Sequence, residues 1–324
     1  MRRLTKSVLG AATTLVLLAA AGCGSDSSGD GSTADGTDGL RKVSVGIIPV
    51  VDVAPLYLGV EKGFFAERNI ELSLEAGQGG AAIIPGVVSG QFQFGSSNVT
   101  SLMLARHEGL PVKIVVSGNA STGQDPDISA VVVKGDSDIK SAKDLEGKTV
   151  AVNTLNNLGD TTVRQSIRKD GGDPDEVEFV ELGFPDMPAA VANGQIDAAW
   201  VVEPFVAISK SQGDRVVAWN LVDTAPDLML SGYFTSEKLL QEDPELVEDF
   251  VAAVTESQEY AMEHPEEARA IVKTYTEIAD DVLAALTLPV WTPAVNREST
   301  QTLADLAMQD GLVDQPVDVA ALLH

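Results

Sequence analysis

Val88-Ser89-Gly90-Gln91-Phe92-Gln93-Phe94-Gly95 and, about one hundred residues later, Ala192-Asn193-Gly194-Gln195-Ile196-Asp197-Ala198-Ala199 are two versions of one pattern. In each, a helix stops at a glycine, which turns left-handed at no steric cost, and a strand starts directly after it. Two further pairs stand at a similar offset. Val43-Ser44-Val45-Gly46-Ile47-Ile48-Pro49 is matched by Thr149-Val150-Ala151-Val152-Asn153-Thr154, and Val112 to Ser117 by Val216 to Leu221. The three matches predict an internal repeat, and strands alternating with helical patterns predict parallel β–α–β units. The fold class is α/β, with two similar lobes and a ligand cleft between them.

The first lobe is expected over 40–133 and 232–324, and the second over 134–231. Ala130-Val131-Val132-Val133-Lys134 reads as a crossing between them, with a return between Asp223 and Phe234. A helical C-terminal part follows, over Pro244 to Met262, Pro265 to Tyr275 and Asn296 to Gln309, the last stopped by Gly311. Pro near the first helical position and acidic first turns mark the starts of the first two. Phe250, Val254, Ala261, Ile271 and Ala307 repeat at helical spacing and read as packing.

Before the lobes, Arg2, Arg3 and Lys6 precede an apolar run from Val8 to Ala21, which is the build of a secretory signal. The run ends in Ala20-Ala21-Gly22-Cys23, which resembles the bacterial lipobox, although Ala20 stands where Leu is usual. Residues 1–22 are therefore expected to be a cleaved lipoprotein signal, with Cys23, the sole cysteine, as the lipidated N-terminus. The alternative is an ordinary signal with an incidental Cys. Residues 23–39, nearly all Gly, Ser, Thr and Asp, read as a flexible tether. Asp26 to Thr37 imitates a calcium loop, but Thr37 stands where a bidentate Glu is required.

Composition removes several function classes. The 324 residues carry 22 Lys+Arg against 48 Asp+Glu, a formal net charge of −26, which excludes nucleic acid as a partner on electrostatic grounds. Three His and one Cys leave little for metal or haem ligation, so neither a metal nor a cofactor is expected. Gly147-Lys148-Thr149 ends like a phosphate-binding loop, but Ala142 replaces the first Gly and the segment leads into a strand.

A cleft between α/β lobes collects the loops at the carboxyl ends of the strands. Five turn-rich segments fall there: Pro49 to Pro55, Gln78 to Ala81, Gly95 to Asn98, Thr154 to Asp160 and Phe184 to Pro188. Helix N-termini at such places offer unpaired N–H groups to a polar solute without any Lys or Arg.

Val45 to Pro49, then Ala54-Pro55-Leu56-Tyr57-Leu58-Gly59-Val60-Glu61-Lys62-Gly63-Phe64-Phe65, resembles the start of solute-binding proteins of bacterial ABC importers. The branch is that for nitrate, taurine, alkanesulfonates and thiamine-precursor pyrimidines. Gln78-Gly79-Gly80, Ser141 to Lys148, and Asn193 to Ala199 with Glu203-Pro204-Phe205 extend the likeness through the chain after the tether. The resemblance implies a type II periplasmic-binding-protein fold that closes on a small solute and delivers it to a permease driven by a separate ATPase subunit. It also implies a monomer, anchored by lipid at the extracytoplasmic face of the cell membrane.

By the family pattern, the first-lobe wall includes Pro49, Ala54, Tyr57, Gln78, Gly79, Ser96, Ser97 and Asn98, and the second Asn153, Asn156, Asn157, Leu158, Trp200 and Glu203. Tyr57 and Trp200 either sandwich a flat part of the solute or belong to the core. Glu203 either accepts from the solute or braces a helix N-terminus. The expected solute is a sulfonate, a carboxylate or a pyrimidine-like compound. An enzyme of the same fold that makes pyrimidines is the rival class, and a ligand sensor without transport the third. His107, His264 and His324 fall outside the expected cleft loops, and Lys148 suits Schiff-base chemistry by residue type only, so no catalytic residue is assigned.

Overall fold

The computed structural model describes Gly39–His324; the expected signal, Cys23 and all of the tether before Gly39 lie outside the described residues. The chain runs β1 (Arg41–Ile47), α1 (Ala54–Lys62), β2 (Ile70–Ala76), α2 (Gly80–Ser89), β3 (Phe94–Asn98), α3 (Val99–His107) and β4 (Val112–Ala120). It then crosses to β5 (Ser129–Val133), β6 (Thr149–Val152), α4 (Leu158–Lys169), β7 (Glu178–Glu181), α5 (Met187–Ala192), β8 (Ala198–Val202), α6 (Phe205–Ser211), β9 (Arg215–Ala218) and α7 (Asn220–Thr224). It returns as β10 (Met229–Ser236) and ends in α8 (Glu237–Glu242), α9 (Pro244–Glu263), α10 (Pro265–Val272), α11 (Asp280–Ala285), α12 (Arg297–Gln309) and α13 (Val319–Leu322).

Two five-stranded sheets result, ordered β2-β1-β3-β10-β4 and β7-β6-β8-β5-β9. The orders are the same motif twice, with β6, β7, β8 and β9 standing where β1, β2, β3 and β4 stand. In each sheet the fourth place is taken by a strand that arrives antiparallel to both neighbours: β10 between β3 and β4, β5 between β8 and β9. The paired glycine turns are also matched, Gly90 at φ 81° and Gly194 at φ 67°, each closing a helix before the next strand.

The lobe boundaries differ from the sequence expectation. Ser129–Val133 lies wholly in the second sheet, although 129–133 was expected in the first lobe with Ala130 to Lys134 as the crossing. All five of its residues are buried, the burial a strand covered on both faces needs. The return strand begins at Met229, so 229–231 belong to the first sheet. The crossings are therefore 121–128 and 225–228. Asp127, fully buried, ties the first: its carboxylate accepts from Ser121 Oγ (2.6 Å) and from the N–H groups of Thr122 and Ile128 (2.8 Å each). Ser121 N–H reaches Leu228 O at 3.0 Å, joining the two crossings.

Local chemistry sets the helix starts that matter for the cleft. Asn98 caps α3 by accepting from Ser101 N–H at 2.8 Å. Asn157 caps α4 in a capping box with Asp160, which accepts from the N–H groups of Asn157 (2.6 Å) and Asn156 (2.7 Å). Gly46 and Gly95 let α2 lie against the sheet, since a Cβ on either would meet Ile83, at 2.6 Å from Gly46 and 2.9 Å from Gly95.

On the other face, Phe250 of α9 fills the first lobe. It stacks on Phe94 with centroids 3.8 Å apart and touches Phe65 and Tyr233. Truncation there removes a fully buried ring between sheet and helix. Phe250→Ala is expected to lower stability by about 3–5 kcal/mol, read as the urea midpoint at constant slope; a loss below about 1 kcal/mol would contradict this packing.

Candidate functional site

A cavity, partly open to solvent, lies where the carboxyl ends of strands from both sheets converge. The first lobe supplies Val50, Asp52 and Val53 from the loop after β1, Ser96, Ser97 and Asn98 from the end of β3, and Leu230 and Ser231 from β10. The second lobe supplies Asn153, Leu158, Phe184, Trp200 and Val202. Two helices, α3 and α4, begin at its edge. A neighbouring cavity shares Ile48, Val50 and Phe184 and adds Pro49, Gln78 and Phe205.

Trp200 is held by a chain of buried hydrogen bonds. Its Nε1 donates to Ser129 Oγ (2.8 Å), Ser129 donates to Asn220 Oδ1 (3.0 Å), and Asn220 Nδ2 donates to Thr162 Oγ1 (2.8 Å). Thr162 in turn donates to Leu158 O (2.8 Å), returning the chain to the cavity wall. Phe184 leans on the indole at 5.4 Å, and Gly159 leaves it room, since a Cβ there would come within 2.4 Å of the ring.

Of the fourteen wall positions expected from sequence, Ser96, Ser97, Asn98, Asn153, Leu158 and Trp200 line the main cavity. Pro49 and Gln78 line its neighbour. Gly79 faces the second lobe, where a Cβ would meet Thr154 Oγ1 at 3.0 Å and Asn153 Nδ2 at 3.4 Å. Asn157 reaches across the cleft to accept from Ser101 Oγ at 3.1 Å, and Asn156 takes a left-handed turn at φ 53° to enter α4. These two act as a cap and a turn beside the cavity.

Three expected positions sit elsewhere. Ala54 is buried among Val51, Leu58 and the C-terminal helices. Tyr57 stacks on Tyr275 with centroids 4.0 Å apart and planes 12° apart, so it forms no sandwich with Trp200. The rotation of α1 that buries Ala54 and Leu58 also turns Tyr57 toward the C-terminal helices. Glu203, 2% exposed, braces structure: Oε2 accepts from Ala207 N–H (3.1 Å) at the start of α6, and Oε1 from Thr287 N–H (3.0 Å). Burial pushes its carboxyl up to about 7 against the pull of those two N–H groups, Lys210 and Arg269.

Asp52, Phe184 and Ser231 were not assigned from sequence. Asp52 and Phe184 lie inside the turn-rich segments flagged for the cleft, so the segments were visible and the residues within them were not. Ser231 reaches the cavity only because β10 inserts beside β3, a long-range pairing with no local signal. Asp52 is, among the described residues, the one charged residue of the main cavity wall. Burial pushes its carboxyl up to about 6, while the Asn119 side chain pulls the other way.

With this geometry in view, the family profile described as NMT1/THI5 like matches residues 50–268. The chain belongs to that family. Among relatives, it is 26% identical over 230 residues to the formylaminopyrimidine-binding protein of Halalkalibacterium halodurans, covering 69% of this chain and 67% of the relative. It is 23% identical over 226 residues to a 4-amino-5-hydroxymethyl-2-methylpyrimidine phosphate synthase of Candida albicans, covering 66% of this chain and 65% of that enzyme. The chain thus spans about two thirds of the length of these curated relatives. Among solved structures, the alkanesulfonate-binding protein of Xanthomonas axonopodis pv. citri bound to MOPS superposes with a TM-score of 0.73 at 16% identity, over 89% of this chain and 99% of that one. The fold is accordingly the periplasmic-binding-protein fold of this family, as the sequence resemblance implied.

Asp52 and Glu203 each hold a proton in the folded chain at a pH where an unfolded carboxyl has lost it. Their stabilising share is complete below the unfolded value near 4 and is lost as pH rises through about 6 and 7 respectively. Asp52→Asn removes the first of these. Its stability relative to the parent chain is expected to improve by on the order of 1–2 kcal/mol between pH 5 and pH 8. Thermal melts followed by circular dichroism check this; a difference independent of pH would contradict the burial of Asp52.

Proposed function

We propose that the chain is the extracytoplasmic solute-binding component of an ABC importer, capturing a small organic solute by lobe closure and passing it to a permease whose ATPase is a separate subunit. The observation that carries this reading is the cavity at the strand ends, walled by both lobes, in a chain of this family. A solute there touches both lobes at once, so its binding energy favours their approach. Contacts across the cleft, Ser101 with Asn157 and Val51 N–H with Glu203 O (3.2 Å), would help to hold the lobes together around a solute. The crossings at 121–128 and 225–228 are the places where rotation would be absorbed.

The wall residues Ser96, Ser97, Asn98 and Asn153 would supply polar contacts, and the Trp200 face an apolar one. Lipid attachment at Cys23, supported by the lipobox-like Ala20-Ala21-Gly22-Cys23, would keep a monomeric carrier beside its permease. A sensor lacking a transport partner would use the same capture step. An enzyme reading is favoured by one finding, the likeness to the Candida pyrimidine synthase.

Titration of the purified chain with sulfonates, carboxylates and pyrimidines, by calorimetry and tryptophan fluorescence, separates these readings. Reversible binding with a smaller radius of gyration on small-angle scattering is the expected result. Consumption of the compound with release of product would establish the enzyme instead. Trp200→Ala is expected to weaken the compound that binds by at least about tenfold, or about 1.4 kcal/mol. Unchanged affinity in that variant would remove the cavity as the binding site.

A further inference from the structure

Asp52 brings a carboxylate into the cavity wall, and among the described residues no Lys, Arg or His of that wall comes with it. A desolvated carboxylate without a cation is costly, and such groups gather where a ligand completes them. Its surroundings are polar and incompletely paired. Asn119, fully buried, accepts from Ser231 Oγ at 2.6 Å, while its Nδ2 faces Asp52 without closing a hydrogen bond of good geometry. The Tyr233 hydroxyl, also buried, has no hydrogen-bond partner among the described residues and lies close enough for the charge of Asp52 to raise its pKa. Tyr275 is already engaged, donating to Val50 O at 3.2 Å.

We propose that Asp52 is the specificity-determining residue of the cleft, and that the captured solute presents a nitrogen-borne N–H pole, as ammonium, amidinium or ring amino group, to its carboxylate. This rests on the solute-capture reading and narrows it. The N–H pole donates to Asp52, and the remaining polar atoms of the solute meet Ser96, Ser97, Asn98 and Ser231 of the same wall. The remaining walls, Trp200, Phe184 and Val50, suit a flat or short apolar body. A simple anion such as nitrate or an unsubstituted sulfonate would bring like charge against Asp52, with no cation in the wall to offset it. At pH 7.5 Asp52, pushed only to about 6, is ionised and ready to accept. Tyr233 and Tyr275 face it in their neutral forms, because burial raises both hydroxyls further.

Matched pairs test the N–H pole directly. Taurine is compared with isethionate, which replaces its ammonium by a hydroxyl, and 4-amino-2-methylpyrimidine with 2-methylpyrimidine; nitrate and methanesulfonate complete the set. Calorimetry on the full chain at pH 7.5 is expected to show the aminated member of at least one pair binding at least tenfold tighter than its partner. Asp52→Asn should abolish that preference while leaving the weaker partner within about threefold. The parent chain carried from pH 7.5 to pH 5 should lose the same preference, a readout that survives if the variant folds poorly. Tight binding of nitrate, methanesulfonate or isethionate, or a preference that Asp52→Asn leaves intact, overturns the assignment while solute capture stands. Binding by no member of the set overturns both.

Discussion

Each lobe is finished by a strand that reaches it through a crossing. The second sheet is open between β8 and β9 until β5 enters from the first lobe, and the first is open between β3 and β4 until β10 comes back. The first sheet is therefore not a contiguous piece of chain, whereas the second is built from consecutive strands, β5 to β9, and each crossing leads into a strand that lies between two others. Asp127 shows what this demands. It is buried near the end of a crossing and accepts four hydrogen bonds from that same crossing, so the connection is a structured joint and not a slack linker. The cleft depends on this joint, because the strand ends that wall it belong to two sheets linked through the two crossings.

The inserted strands also decide what the cavity contains. β10 sets Ser231 beside Asn98, so part of the polar wall of the first lobe is delivered by a residue that follows the second in sequence. β5 sets Ser129 behind Trp200 and fixes the indole. A site assembled from the end of β3, the loop after β1, and two late arrivals is precise only while all of them are in place. This couples the rigidity of the fold to the recognition of a solute.

Much of this was legible in the chain, and the reasons divide by range. The glycine-to-strand pattern at Gly90 and Gly194 is local chemistry, so the repeat and the α/β class could be read from it. Ser96, Ser97 and Asn98 were legible for the same reason: a strand end running into an N-cap marks a cleft loop. Asn156 and Asn157 were read as wall, yet Asn157 with Asp160 three residues on is a capping box, and that local signal describes what they do. Tyr57 was not legible, because the choice between cleft and core depends on the rotation of α1 against the C-terminal helices. The placement of Ser129–Val133 failed similarly: a β-branched run says strand, but only pairing says which sheet. Asp52 stood inside a flagged segment and was passed over as turn chemistry.

Two carboxylates illustrate how environment assigns roles. Asp52 and Glu203 are both raised by burial, and both sit near the junction of the lobes. Glu203 has each oxygen matched to a backbone N–H, one on α6 and one at Thr287, and so its desolvation is offset by bonds that hold structure. Its bonds are spent, and it has no place in the cavity wall. Asp52 has an imperfect approach from Asn119 and its own backbone N–H, lies near the Tyr233 hydroxyl, which has no partner among the described residues, and lines the cavity. A carboxylate in the first condition stabilises the folded chain as it stands. One in the second condition lowers stability until something with an N–H arrives, and that difference is available as binding energy to the right solute and withheld from the wrong one.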